Sequence, residues 1–275
     1  PELAREAGRV VALELRAVGM HACLCPVADV RSGSMLSSRT FSTEPAAVGR
    51  FAAAFVRGLQ GEGVMAVVKH FPGLGGASED THFTVPRIQD SFAVVRDRDL
   101  APFRHVFRAG AGGVMLGHHA VLELDRLGRP ATVSPPIVQD LLREDMGFDG
   151  LVFTDALNMQ AITEELSDGD LAVEALAAGA DVLLVPRDPE HAVKRIVDSV
   201  RAGQLSEARI NESVRRVLGA KVRLGVLRSA VPLRAEAGPA VDPGSAAEAR
   251  AILGAPEHQR LIREIEAAAS STSPR

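Results

Sequence analysis

The sequence predicts an α/β fold built on a parallel sheet. Short apolar runs alternate with segments of helical periodicity along most of the chain. The apolar runs are unbroken, as in strands covered on both faces, and glycine stands at nearly every passage from helix to strand. Residues 2–18 have helical spacing and stop at Gly19, and the run Ala22–Val30 follows as the first strand. A helix over 44–60 leads through Gly61 and Gly63 to a strand Val64–His70. The helix around Leu100–Ala109 precedes Gly112 and Gly113 and a strand Val114–His118. A helix over 134–146 opens on the Ser-Pro-Pro start signal and ends at Gly147, before a strand Leu151–Asp155. A helix over 170–178 ends at Gly179, before the strand Asp181–Pro186, and helices over 189–202 and 206–224 close the regular part. Five βα units in sequence make a parallel sheet with helices outside.

Composition narrows the function classes. At 275 residues, 46% hydrophobic and 24% charged, the chain can bury a core of one large domain or two small ones, which excludes disordered and collagen-like readings. With 31 Lys+Arg against 35 Asp+Glu, a net charge of −4 gives no sequence-wide attraction to phosphate backbones or anionic membranes, so no nucleic-acid partner is expected. No stretch reaches the roughly 20 apolar residues that cross a bilayer. Trp and Tyr are absent, so a carbohydrate site would rest on polar groups instead of those rings. Cys23 and Cys25, the only cysteines, lie two apart in an apolar run, where a bridge would strain an extended strand; they read as small packed residues, and the compartment stays open. The chain begins at Pro1 directly in a helical pattern, and the expectation is that an upstream segment is missing.

Each predicted strand carries polar residues at its C-terminal end: Asp29, Lys69-His70, His118-His119, Asp155 and, more weakly, Arg187-Asp188. That edge of a parallel α/β sheet is where ligands bind. Lysine occurs only at 69, 194 and 221, which makes Lys69 a marked choice. The segment Lys69–Pro86, KHFPGLGGASEDTHFTVP, is the most informative stretch. Its glycines at 73, 75 and 76 permit positive φ and close backbone approach, and Phe71-Pro72 is a candidate cis bond. Asp80 and His82, two apart, are spaced for a carboxylate to hold one imidazole nitrogen while the other faces a ligand. Plainer readings stand beside these: Asp155 as a helix N-cap, Lys69-His70 as a solvated strand end, Asp80 and His82 as an Asx-type loop contact. Asp29 and His119 read as structural or supporting residues. A metal held by His70, Asp80, His82 and His118 is conceivable by residue type, but no known ligand spacing supports it.

The sequence KHFPGLGG followed by EDTH resembles the KHFPGHG…DSH signature of family 3 glycoside hydrolases, in particular their bacterial β-N-acetylglucosaminidases. LLREDMGFDGLVFTDALNM at 141–159, PVADV at 26–30, RTF at 39–41 and MLGH at 115–118 resemble further elements of that family, in the same order, over residues 1–228. The resemblance implies a (β/α)8 TIM-barrel-type catalytic domain. It implies Asp155 as nucleophile, His82 as general acid/base and Asp80 as its orienting partner, with Arg39, Lys69 and His70 binding sugar hydroxyls and His118 nearby. No metal and no cofactor are expected. The family's first two βα units, with their acidic D-(Q/T)-E-G-G segment, have no counterpart, so the expected domain is a partial barrel over 1–228. Residues 229–254 read as an Ala/Pro/Gly-rich linker, and the helix at 255–275 resembles the start of a truncated C-terminal domain. The expected activity is that of a retaining, exo-acting β-N-acetylglucosaminidase on muropeptide or chitin-type ends. A phosphorylase is the neighbouring alternative, and an inactive sugar-binding remnant the non-enzymatic one. A barrel short of strands should leave an open core and unpaired edges, and self-associate edge to edge.

Overall fold

The computed structural model describes residues 1–31, 39–77, 84–163, 167–227 and 246–271. Its strands are β1 (Ala22–Cys23), β2 (Met65–Phe71), β3 (Arg87–Ile88), β4 (Gly113–Leu116), β5 (Ala120–Val121), β6 (Leu151–Ala156) and β7 (Val182–Leu184). Five of them form one parallel sheet in the order β1-β2-β4-β6-β7, the sheet of a partial barrel. β3 and β5 form a separate parallel pair.

Around the sheet stand α1 (Glu2–Ala17), α2 (Pro45–Gly61), α3 (Ala101–Arg108), α4 (Pro136–Asp145), α5 (Asp168–Ala178), α6 (Pro189–Arg201) and α7 (Glu207–Arg223). Proline opens α2, α4 and α6, where its missing N–H costs nothing. Ser167, Asp188 and Ser206 cap α5, α6 and α7 by accepting from the backbone three residues on. α4 and the stretch Val95–Leu100 before α3 are π-wound, a feature that periodicity does not announce.

Strand alternation sorts the core into two layers. Ala66, Val68, Val114, Leu116 and Val152 face the helices and pack with Val56, Leu59, Phe103, Val106 and Leu142. Met65, Val67, Met115, Leu151 and Phe153 form a second cluster, and Val217, Ala220 and Leu224 of the α7 region pack against it. The open core expected of a partial barrel is thus covered by a helix of the chain itself. A buried carboxylate fastens that helix down. Asp181, just before β7, accepts from Arg143 (2.8 Å), Ser213 Oγ (2.7 Å) and the Val152 N–H (3.1 Å), with Arg209 and Arg216 each at 3.3 Å.

The first strand differs from its expected span of 22–30. Regular pairing holds only at Ala22 and Cys23, and an isolated bridge joins Val27 to Lys69. Pro26 has no N–H to give to a ladder and interrupts it. Phe71-Pro72 is cis, as are Cys25-Pro26 and Lys69-His70. Beyond the undescribed residues 228–245, helices α8 (Ala246–Ile252) and α9 (Pro256–Ser271) follow, α8 within the span read as linker. Glu14 of α1 holds them, accepting from the Gly254 N–H (3.1 Å) and from His258 Nδ1 (2.8 Å).

Candidate active site

The C-terminal ends of β2, β4 and β6 set His70 between Asp29 and Asp155, with His118 on the Asp155 side and His119 on the Asp29 side. Asp29 sits just past the Val27–Lys69 bridge with its side chain sealed from solvent. Its carboxylate accepts three N–H groups: the His70 ring Nδ1 at 2.7 Å, the His70 backbone at 3.1 Å and the Leu74 backbone at 2.9 Å. Burial alone would raise its pKa, but the His70 ring and these hydrogen bonds hold it below the usual carboxylate value. Asp29 thereby fixes the His70 ring and the start of the glycine loop at once.

The other ring nitrogen of His70 faces β6, with Nε2 3.8 Å from Asp155 Oδ2. Asp155 Oδ1 accepts from the Ala156 N–H at 2.8 Å, and about a fifth of the side chain meets solvent. Asp155 lies inside β6 and the next helical turn, Gln160–Thr163, begins five residues later, so the N-cap alternative does not hold. A carboxylate partly open at a strand end and backed by a fixed imidazole is equipped to act as nucleophile or charge stabiliser.

His118 is fully buried. Its Nε2 donates to the Ala156 carbonyl at 3.0 Å, and its Nδ1 lies 2.7 Å from Thr132 Oγ1, which in turn donates to the Gly117 carbonyl at 3.2 Å. Burial lowers its pKa, opposed by the Ala156 carbonyl and the Asp155 charge. The ring therefore ties β4 to the residue beside Asp155. His119 is buried too, and neither ring nitrogen has a hydrogen-bond partner among the described residues. Burial pushes its pKa down to about 4 against the pull of Asp29 and of the Gly73 backbone, which lies close to the ring but outside hydrogen-bonding geometry. Gly117 makes room for this packing, since a Cβ there would meet His119 Nδ1 at 2.5 Å.

The glycine loop rests on an acidic-basic floor. A Cβ on Gly73, which has φ +120°, would meet Asp99 Cβ at 2.7 Å, and one on Gly75 would overlap Asp99 Oδ1. Asp99 is buried and pairs with Arg98 Nη2 at 2.7 Å, and Arg98 also reaches Asp90 Oδ2 at 2.7 Å. Burial pushes the Asp99 carboxyl up to about 6, opposed by Arg98. On the far side of the loop, the β3–β5 pair secures the returning chain, with Ala120 N–H donating to the Pro86 carbonyl.

Of the residues expected in a site, His70, His118 and Asp155 come together. Lys69 is half-buried at the end of β2, its backbone bonded to Pro26 and Ala28, and Arg39 is exposed. Asp80 and His82 lie outside the described residues. Asp29 is the supporting residue that the sequence suggests, but its partner His70 and the Arg98–Asp99–Asp90 floor were not foreseen. Among the described residues no three His, Cys, Asp or Glu side chains converge as a metal-binding group. No helix of the described residues is long and apolar enough to cross a membrane. The cleft lined by Gln60, Met65, Gly112, Ala220 and Leu224 opens by the N-terminal ends of β2 and β4 and holds none of these strand-end groups.

The chain is 38% identical over 192 residues to the beta-hexosaminidase of Nitrosomonas eutropha, covering 69% of this chain and 55% of that one. It is similar to the solved glycoside hydrolase family 3 beta-N-acetylglucosaminidase of Paenibacillus sp. str. FPU-7, with a TM-score of 0.79 and 33% identity over 90% of this chain and 48% of the other. It is also similar to the beta-glucoside phosphorylase BglX, with a TM-score of 0.83 and 26% identity over 96% and 48%. The chain spans about half the length of the curated relatives it matches. Residues 1–220 match the family model described as the glycosyl hydrolase family 3 N terminal domain, and with the parallel half-barrel and its strand-end carboxylate and histidines this places the chain in glycosyl hydrolase family 3.

Proposed function

We propose that the protein is a retaining, exo-acting β-N-acetylglucosaminidase, removing terminal N-acetylglucosamine from muropeptide or chitin-type oligosaccharides. The observation that carries this reading is the Asp29–His70 pair presenting an imidazole to Asp155 across 3.8 Å at the strand ends. That gap is too long for a direct hydrogen bond and leaves a sugar hydroxyl room to contact both groups. In the first step the Asp155 carboxylate attacks the anomeric carbon while His82, oriented by Asp80, protonates the leaving oxygen; a covalent glycosyl-enzyme results. In the second, water deprotonated by His82 attacks the same carbon from the face the leaving group vacated, and net configuration is retained. Lys69, His70 and Arg39 bind sugar hydroxyls, and His118 secures the backbone beside Asp155. Within this reading, residues 1–228 are the catalytic part, 229–254 a linker and 255–275 the opening of a further domain, with neither a cofactor nor a nucleic-acid partner involved.

The test is turnover of aryl and natural N-acetylglucosaminides. Asp155→Ala lowers kcat/KM roughly 10³-fold or more while leaving the melting transition nearly unchanged, because the covalent route is lost and little packing goes with it. Activity within about tenfold of the parent protein defeats the assignment. His82→Ala slows natural substrates far more than aryl glycosides with acidic leaving groups, which scarcely need protonation; equal losses on both remove His82 from the acid role. The similarity to a beta-glucoside phosphorylase favours one second reading, in which phosphate replaces water in the second step. Product analysis with and without phosphate separates the two, and absence of any aryl-glycoside turnover leaves the sugar-binding remnant.

A further inference from the structure

The two cysteines are used by nothing described so far. Their sulfurs lie 2.9 Å apart, with the Cys25 thiol donating to Cys23 Sγ. Both residues are half-buried, within reach of a small solute. The objection that residues two apart on a strand resist bridging assumes extended backbone throughout. β1 ends at Cys23 and the next backbone hydrogen bond to β2 runs from the Lys69 N–H to the Pro26 carbonyl, so the chain at Leu24 and Cys25 stands outside the regular ladder and turns the two side chains toward each other. A disulfide bond is about 2.05 Å long, which leaves about 0.9 Å to close. Lys69 lies beside the pair, its backbone bonded to Pro26 and Ala28, and its positive charge acts on both thiols.

We propose that Cys23 and Cys25 form a modification site, a dithiol oxidised by hydroperoxides to an intrachain disulfide, in which Cys23 is the attacking sulfur and Cys25 the resolving one. The Cys23 thiolate attacks one peroxide oxygen. The O–O bond breaks, hydroxide or alkoxide leaves, and Cys23 becomes a sulfenic acid, oxidised by two electrons while the peroxide is reduced. The Cys25 sulfur then attacks the Cys23 sulfur, the S–O bond breaks, and the hydroxyl departs with the Cys25 proton as water. The roles follow from the direction of the hydrogen bond. Cys23, accepting from Cys25 and with the Lys69 charge nearby, has its pKa lowered against the effect of burial, whereas donation to Cys23 and burial raise that of Cys25.

Hydrogen peroxide at low molar excess on the full chain tests this, with free thiols and intact mass followed over time. The parent protein loses both thiols together, drops in mass by two hydrogens without forming a disulfide-linked dimer, and recovers on addition of a dithiol reductant. Cys25→Ser halts at the sulfenic acid, which dimedone traps on Cys23. Cys23→Ser oxidises at least about tenfold more slowly. Equal oxidation rates in the parent and Cys23→Ser, or dimers or dimedone adducts in place of the two-hydrogen loss, overturn the proposal. The parent protein's mass change decides it even where a serine variant fails to fold.

Discussion

Asp29 illustrates how a single carboxylate sets the geometry of its neighbours: one oxygen serves both the ring and the backbone N–H of His70, and the other the N–H of Leu74. His119, beside it, is its opposite, a polar ring in the same interior with no partner among the described residues. A buried donor or acceptor left unmade costs about 1 to 3 kcal/mol, whereas an apolar group of similar volume costs nothing of the kind. His119→Leu is therefore expected to leave stability at pH 7 within about 1 kcal/mol of the parent or to raise it, measured by denaturant unfolding. A loss above about 2 kcal/mol would mean that the ring nitrogens are bonded after all. The acid side gives a second check. With a folded pKa of about 4 against an ordinary 6.5, the neutral ring's contribution is complete above pH 6.5 and is lost as pH falls through 6.5 toward 4, by about 3 kcal/mol. In His119→Leu that part of the acid loss disappears.

The glycine loop between β2 and β3 is the element on which the proposed chemistry turns, and it is held at both ends: by Asp29 at Leu74 and by the β3–β5 pair after Pro86. Beneath it, Asp99 titrates in the opposite sense to His119. Its carboxyl is raised to about 6 from 3.8, so its contribution is complete below pH 4 and is lost as pH rises from about 4 to 6. Asp99→Asn removes this opposing trend, and stability across pH 4 to 6 should climb more steeply than in the parent, by about 2 to 3 kcal/mol over the interval. Parallel pH profiles for variant and parent would show that the Arg98 pair already neutralises the cost. The helices of this architecture were legible in the sequence because glycine stops and proline starts are local signals, and Pro45, Pro136, Pro189, Gly147 and Gly179 do what their chemistry dictates. The two-residue strands β3 and β5 were not, since two residues carry no period. The run 22–30 reads as one strand because Cys, Leu, Val and Ala mask the effect of Pro26. The strand-end polar residues stood out by type, but Asp29's hold on His70 spans 41 positions and no spacing rule reaches that far.

For the molecule as a whole, the covering of the Met65–Phe153 cluster by α7 and its fastening through Asp181 change what a five-stranded half-barrel implies. The core is closed on that side, but β1 pairs only with β2, and β7 only with β6, among the described residues. Exposed parallel edges favour pairing with a second copy, so residues 1–275 are expected to elute as a dimer or larger species on size exclusion or to melt broadly. A monodisperse monomer with a sharp cooperative transition would show that both edges are covered. Every rung of this sheet is also distant along the chain: Ala22 meets Met65, 43 residues on; Val67 meets Gly113, 46 on; Gly113 meets Leu151, 38 on; and Phe153 meets Val182, 29 on. Among the described residues no hairpin offers a cheap first contact, and each pairing must close a long loop before it returns any free energy. Refolding should accordingly run in the slow range of non-local topologies, with α1 and α2 formed while the strands still search for one another.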